Sequence, residues 1–400
     1  MEEIKVANKQ WHEGQTKSIT FIVTKDCQLA CGYCYLVGKN NKERMSFELA
    51  KEAIDYILNH RDIFKEESVV FDFIGGEPFL EINLIDNICD YIKNSLYQSN
   101  HPWFNSYRFS FTTNGLNYGS DKVQKYIAKN FNHLSICITI DGTQKKHDIN
   151  RIYKVTGKGS YEDVVKNIPL WVEQFKDCRT KVTISSPDIP YIKESVLHIY
   201  DLGIHTVDIN CVYENVWNEG DDILFENQLM LLADIIINNN LYKDHVCSFF
   251  SEMIGKSEPS DSNWCGTGKM LSIDAAGNFY PCTRFASYSL RNKKPVIIGN
   301  VKEGIDPNKL RPFLTLDRKT QSPEKCLNCE VANGCAWCQG ENYDTAETDT
   351  IYQRATAICL MHKARVRANN YYWNKLYRKL EIESKQEKYE KNKNVEHVIY

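Results

Sequence analysis

Thr24-Lys25-Asp26-Cys27-Gln28-Leu29-Ala30-Cys31-Gly32-Tyr33-Cys34 decides how the rest of the chain is read. Its cysteines stand at a Cys-x3-Cys-x2-Cys spacing, with an aromatic residue, Tyr33, just before the last. The run before it, Ile19-Thr20-Phe21-Ile22-Val23, is apolar and reads as a buried strand, so the thiols leave a strand end on a loop. Three thiolates within eight residues can wrap one cubane iron–sulfur cluster. Such clusters normally take four cysteine ligands. One iron is therefore left without a protein ligand, and an open iron suits a chelating small molecule. A zinc knuckle is the alternative. Zinc usually wants four ligands and commonly uses Cys-x2-4-Cys pairs, so three thiols on one loop fit it poorly.

The chain has 400 residues, which suggests two or three domains and a large core. A net charge of −3 and a pI near 6.4 give no reason to expect nucleic acid or an anionic membrane as partner. No apolar run reaches the roughly 18 residues of a spanning helix. The start, Met1-Glu2-Glu3-Ile4-Lys5, lacks the apolar stretch of a signal peptide, so a cytoplasmic protein is expected. Fifteen cysteines in such a compartment argue for metal ligation rather than disulfides. Ten of them fall in two clusters, at 27–34 and 265–359. Cys89, Cys137, Cys178, Cys211 and Cys247 are scattered in apolar or helical surroundings and read mostly as small buried residues.

Residues 1–17 are polar and read as an arm. Strands are expected at Ile19–Val23, Ser68–Ile74, Arg108–Thr113, Leu134–Ile140, Lys181–Ser186 and Thr206–Val212. Helices are expected at Ser46–Asn59, Leu84–Leu96, Asp121–Asn130, Tyr161–Phe175, Ile192–Leu202 and Asp222–Asn239. Strand–helix units in this order argue a parallel α/β array with right-handed crossovers, and six units argue an open, partial (β/α)6 TIM-like barrel over 18–240. Loops at the carboxyl ends of such strands build active sites. The cysteine loop, the turn Gly75-Gly76-Glu77-Pro78, Asn114 and Asp141 all fall there. A polar stretch over 241–263 reads as a linker. A domain over 264–365 follows, with a hairpin from Met270–Ile273 to Phe279–Tyr280, and a helical tail over 366–400.

Cys27, Cys31 and Cys34 with Tyr33 resemble the signature of radical S-adenosylmethionine (radical SAM) enzymes. The resemblance implies a [4Fe-4S] cluster whose open iron takes S-adenosylmethionine, which is cleaved to a 5′-deoxyadenosyl radical. It implies that Gly75, Gly76, Glu77 and Pro78 hold the amino group of that cosubstrate. It makes Tyr33, Asn114, Thr139 and Arg151 further cosubstrate residues; Thr139-Ile140-Asp141-Gly142 and His147-Asp148-Ile149-Asn150-Arg151 resemble stretches of peptide-modifying members. His147 itself reads better as a structural histidine.

Cys265, Gly277-x4-Cys282, Cys326-Leu327-Asn328-Cys329, Cys335-Ala336-Trp337-Cys338 and Cys359 resemble the SPASM extension, a domain carrying two auxiliary [4Fe-4S] clusters. The last pair departs from it, being Cys-x2-Cys where Cys-x3-Cys is common. The resemblance implies that Cys326, Cys329, Cys335 and Cys359 hold one cluster and that Cys265, Cys282 and Cys338 hold the other. Many relatives have another cysteine soon after the first, and Gly266-Thr267-Gly268-Lys269-Met270-Leu271 has none. An open iron in that cluster is therefore expected, unless Cys247 or His245 closes it.

The expected activity is that of a maturase for a ribosomally made, cysteine-containing precursor peptide, of the sactipeptide or ranthipeptide type or the subgroup acting on Cys-x-x-x repeats. It would install a cross-link, a cysteine thioether first and a carbon–carbon bond second. Only 26 residues precede Cys27, too few for the winged-helix leader-binding domain of such maturases. A separate leader-binding protein and a flavodoxin- or ferredoxin-type reductant are expected partners. The competing reading is an anaerobic sulfatase-maturating enzyme, whose proposed base is an aspartate directly after the Gly-x4-Cys cysteine. Thr283 stands there. A non-enzymatic iron–sulfur carrier would need neither the α/β domain nor a three-ligand cluster.

Overall fold

The computed structural model describes residues 16–39, 41–250, 265–332, 334–335 and 337–396, with side chains as far as 386. Residues 1–15 of the expected arm, 251–264 around the end of the expected linker, and 397–400 of the expected tail lie outside the described residues.

Parallel strands β1 (Thr16–Thr24), β2 (Ser68–Gly75), β3 (Tyr107–Thr113) and β4 (Leu134–Ile138) pair in sequence order, and β5 (Arg179–Ile184) pairs parallel with β6 (Thr206–Cys211). Phe21, Phe73 and Phe111 lie side by side in register, with ring centroids 5.7 and 5.3 Å apart, and Phe111 meets the helical Tyr126 edge-on. Burying each such ring contributes about 1.5–3 kcal/mol. Because side chains alternate between faces, the intervening positions, among them Ser18, Thr20, Asp72 and Thr112, line the interior of the half-barrel. These strand positions are polar, so the strands alternate between an apolar outer face under the helices and a polar inner one.

The array breaks between β4 and β5, and side chains span the gap. The Thr180 hydroxyl accepts from the Ile140 N–H at 3.1 Å and donates to the Ile138 carbonyl at 2.8 Å. Asp141 accepts from the Thr183 N–H at 3.2 Å. Thr180 is fully buried. Thr180→Val keeps the shape but strands a buried donor and acceptor, so it should cost about 1–3 kcal/mol. An unchanged midpoint in urea unfolding would show that the seam does not depend on this hydroxyl.

Helices Phe47–Asn59, Ile82–Gln98, Asp121–Asn130, Ile192–Asp201 and Asp221–Asn238 form at the expected places, within two residues at each end. The helix expected over Tyr161–Phe175 is instead two, Tyr161–Val165 and Ile168–Gln174. Pro169 lacks a backbone N–H and disfavours helix in the residue before it. Asn167 at the break donates to the Gly115 carbonyl at 2.9 Å.

The stretch expected as a linker contains β7 (Val246–Cys247), which pairs parallel with β6, so Cys247 is a strand residue opposite Val207. The expected hairpin forms from β8 (Leu271–Ile273) and β9 (Asn278–Tyr280). Strand β8 also pairs parallel with β1 on the edge away from β2. Strands β10 (Gly299–Asn300) and β11 (Gly304–Ile305) extend the same sheet. A long helix, Cys359–Glu396, begins on the last cysteine and runs back along Asp221–Asn238, where Tyr371 and Lys375 both reach Asp234 at 2.6 Å.

Candidate active site

The cysteine loop is clamped by its backbone. Gly76 and Glu77 N–H groups donate to the Thr24 and Asp26 carbonyls at 3.0 and 2.9 Å. On the other side Ala30 and Gly32 donate to Ile152 and Asn150, and Lys154 donates to Gln28. The two glycines are required by this contact: a Cβ on Gly75 would stand 2.0 Å from the Thr24 oxygen, and one on Gly76 2.1 Å from the Asp26 oxygen. Gly75, Gly76 and Glu77 reach the cavity wall, whereas Pro78 is buried at the start of the short turn beneath them.

Glu77 joins two strand ends. Its carboxylate accepts from Thr113 Oγ1 at 2.6 Å and from the N–H groups of Asn114 and Phe79 at 2.7 and 3.0 Å. Burial still pushes its pKa up against these donors. Asn114 in turn donates to Gln28 at 3.0 Å within the cysteine loop.

Tyr33, Asp141 and Arg151 form a buried network. The Tyr33 hydroxyl donates to Asp141 and accepts from Arg151 at 3.0 Å. Burial opposes the Asp141 charge, but Lys146 and Arg151 outweigh it and hold the carboxyl below its usual range. His147 is fully buried, and burial and Arg151 push its pKa down to about 3. Its neutral Nδ1 accepts from the Asp141 N–H at 3.3 Å, so it positions this strand end. Among the described residues Arg151 Nε is buried with no hydrogen-bond partner, beside the cysteine loop. Thr139 lines the same wall.

One cavity of about 620 Å³ is lined by Cys27, Cys31 and Cys34 and also by Cys265, Cys282 and Cys338, with the lumen below it. Cys282 and Cys338 both lie within electrostatic reach of Cys265. A separate cavity of about 170 Å³ is enclosed by Cys326, Cys329, Cys335 and Cys359. Among the described residues no group of three or more His, Cys, Asp or Glu could hold a single metal ion; each cysteine set surrounds open space instead. Thiols facing a shared cavity suit a multi-iron core, and the unpartnered Arg151 donor suits a carboxylate-bearing cosubstrate beside it.

Some cavity residues were misread or missed in the sequence. Cys211, expected as a small buried residue, ends β6 in the cavity wall. Arg284 donates to Glu214 at 2.8 Å, and its guanidinium lies 4.2 Å from the Tyr35 ring centroid, tying the half-barrel to the second domain. Burial opposes the Glu214 charge, but Arg284 and Arg291 hold it below its usual range; burial and the Glu214 charge push Glu341 up. Arg284 stands two residues after Cys282, a signal that could have found it.

Asp72 is the other. It lies in register with Thr20 and Ser110, and its carboxylate faces Ser110 and Lys181. Burial pushes its pKa up to about 6, against both of those partners. Because the folded value lies above the unfolded one of about 3.9, the protonated acid favours the fold. That stability is complete below the unfolded value, drains away as pH rises to about 6, and stays lost above it. Asp72 is only partly buried in the cavity wall, and solvent screening there limits the effect. Asp72→Asn should therefore gain on the wild type by on the order of 1–2 kcal/mol between about pH 4 and pH 7. Denaturation midpoints at the two pH values measure this, and a difference independent of pH would refute it.

Residues 21–208 match the radical SAM superfamily, and the cysteine loop stands at the end of the first strand of that region. That superfamily uses S-adenosylmethionine and a [4Fe-4S] cluster. The chain is 22% identical over 342 residues to a serine-type anaerobic sulfatase-maturating enzyme of Bacteroides thetaiotaomicron, covering 77% of this chain and 78% of that protein. Its fold resembles that of anSMEcpe with bound AdoMet at a TM-score of 0.69 and 18% identity, covering 91% of this chain and 98% of the other. It also resembles Streptococcus suis SuiB bound to the precursor peptide SuiA, at a TM-score of 0.58 and 15% identity, covering 88% and 77%. The architecture is thus a radical SAM partial barrel followed by a SPASM-type domain. Among the described residues no helix is long and apolar enough to cross a membrane.

Proposed function

We propose that the chain matures a ribosomally made precursor peptide, joining a radical formed on one residue to a cysteine sulfur as a thioether. The observation that carries this reading is the single cavity walled by both cysteine trios. In this reading Cys27, Cys31 and Cys34 hold the cluster that binds S-adenosylmethionine. Tyr33, Gly75, Gly76, Glu77, Pro78, Asn114, Thr139 and Arg151 form the cosubstrate pocket, with Arg151 Nε as donor to its carboxylate. Cys265, Cys282 and Cys338 hold an inner auxiliary [4Fe-4S] cluster, and Cys326, Cys329, Cys335 and Cys359 an outer one. When bound, these groups supply the 5′-deoxyadenosyl radical and take up the surplus electron.

The chain itself holds and orients the reactants. Positioning of this kind can supply about 7–11 kcal/mol when the geometry is good. Three inner thiols leave a place for a fourth sulfur, and the substrate cysteine is the proposed donor. Cys247 lies on β7 opposite Val207, His245 packs against His205 and Tyr200, and neither lines the cavity of the trio. A separate leader-binding protein, a flavodoxin- or ferredoxin-type reductant and a cytoplasmic setting, with neither nucleic acid nor membrane as partner, complete the proposal. Mass spectrometry of a modified peptide tests it: the product should have lost two hydrogens and its joined cysteine should resist alkylation. If every cysteine remained alkylatable, the thioether would be overturned and a carbon–carbon cross-link favoured.

The sulfatase-maturase relative favours formylglycine formation as a second reading. Against it stands Thr283, which occupies the cavity wall after Cys282. An alcohol at its ordinary pKa cannot act as a base near pH 7, whereas a carboxylate can. A sulfatase-motif peptide incubated with the reduced enzyme should therefore yield no formylglycine aldehyde. Appreciable aldehyde would make the second reading the correct one.

A further inference from the structure

The outer cysteine cavity receives one arginine. An Arg354 nitrogen donates to Cys335 Sγ at 3.0 Å, and the other terminal nitrogen donates to Ser322 Oγ at 3.0 Å. The guanidinium lies 5.1 Å from the Trp337 ring centroid. Cys335 itself lies within electrostatic reach of Cys326, Cys329 and Cys359, so the arginine touches the thiol set from its edge. No carboxylate pairs with Arg354 among the described residues. The inner trio is different: Arg284, within electrostatic reach of Cys338, is bound to Glu214 at 2.8 Å, with Glu341 at 3.7 Å.

This asymmetry has an electrochemical meaning. An iron–sulfur core is tuned by net charge, by hydrogen bonds to its sulfurs and by exposure. Reduction adds one electron and no counter-charge, and the added charge spreads onto the thiolate sulfurs. A donor that is always cationic binds the more negative state more strongly. A cation already neutralised by carboxylates does so much less.

We propose that Arg354 raises the reduction potential of the iron–sulfur site held by Cys326, Cys329, Cys335 and Cys359, through its charged hydrogen bond to the Cys335 sulfur. The proposal rests on the reading of those cysteines as cluster ligands given above. Arg354 is a positioning and tuning residue, since it lines the outer cysteine cavity and not the one walled by the two cysteine trios.

The test is an anaerobic redox titration of the full-length reconstituted protein, followed by electron paramagnetic resonance, on the wild type, Arg354→Gln and Arg354→Lys. One couple should move to more negative potential in Arg354→Gln and move less in Arg354→Lys, while the other couples stay in place. The moving couple should be the one altered by Cys335→Ser. An unmoved couple in an Arg354→Gln protein with full iron content would overturn the proposal. Loss of iron from both arginine variants would overturn it too, since Arg354 would then be holding the loop rather than tuning the site. The underlying cofactor reading fails separately. It is refuted if replacing all four outer cysteines with Ala leaves the iron content unchanged.

Discussion

A variant with Cys27, Cys31 and Cys34 all replaced by Ala is expected to release no 5′-deoxyadenosine above a protein-free blank. It should lose about four iron atoms per chain, one [4Fe-4S] complement, and keep the rest. The physical basis is that this trio leaves a strand end with its loop backbone clamped on both sides, and the same wall carries the unpartnered Arg151 nitrogen. The fold should survive, because Cys31 and Cys34 are only partly buried and backbone bonds clamp the loop on both sides, although Ala at the buried Cys27 gives up its contacts with the Leu29 N–H and Asn114. The measurement is anaerobic product analysis alongside iron determination and circular dichroism. Undiminished cleavage of S-adenosylmethionine would sink the assignment of this trio. The thiolates should also be oxidised readily in air, so full iron content is expected only under anaerobic handling.

Gly76→Ala should be nearly as damaging without removing any ligand. The added Cβ would lie 2.1 Å from the Asp26 oxygen, 2.5 Å from its carbonyl carbon and 2.9 Å from the Cys27 Cβ. Two of those atoms are backbone, so no side chain can swing aside. Either the turn or the cysteine loop must move, breaking the 2.9 Å bond from the Glu77 N–H to Asp26. Overpacking of this kind costs about 1–3 kcal/mol. The functional loss should be larger, because the displaced residue is the one bonded directly to Cys27. The expected readout is a lowered melting temperature, depleted first-site iron and little 5′-deoxyadenosine, with auxiliary iron retained. Normal iron and turnover in this variant would mean that the glycine contact does not set the loop.

Part of the site was legible because its signals are local. Three thiols within eight residues, glycines in a turn after a strand, and Asn114 after another strand are all read without knowing what packs against what. The glycines illustrate the limit. Their place was legible, yet the close approach they permit in the structure is by the cysteine loop itself. Asp72 and Lys181 left no local signal, since a polar residue in a strand looks like any outward-facing one. Only the register that sets Thr20, Asp72 and Ser110 side by side turns that face toward a lumen. The break at Asn167 was readable from Pro169, but the Gly115 carbonyl that stabilises it lies 52 residues away.

By itself the sequence determined the order of strands and helices, because hydrophobic alternation, caps and turn residues act over a few positions. It also determined which thiols are available and that the first trio sits at a strand end. The tertiary structure decided where the half-barrel opens, since β4 and β5 are joined by Thr180 and Asp141 side chains and not by a ladder. It decided that β8 closes onto β1, which carries the second domain to the mouth of the first. The division of the later cysteines was implied by the family resemblance, but no spacing within the chain gives it, and its physical basis is tertiary. Cys335 and Cys338 are three residues apart, yet Cys335 faces Cys326, Cys329 and Cys359 while Cys338 faces Cys265 and Cys282. Neighbours in a chain can point to opposite sides of a turn, and which side holds a partner depends on segments dozens of residues away.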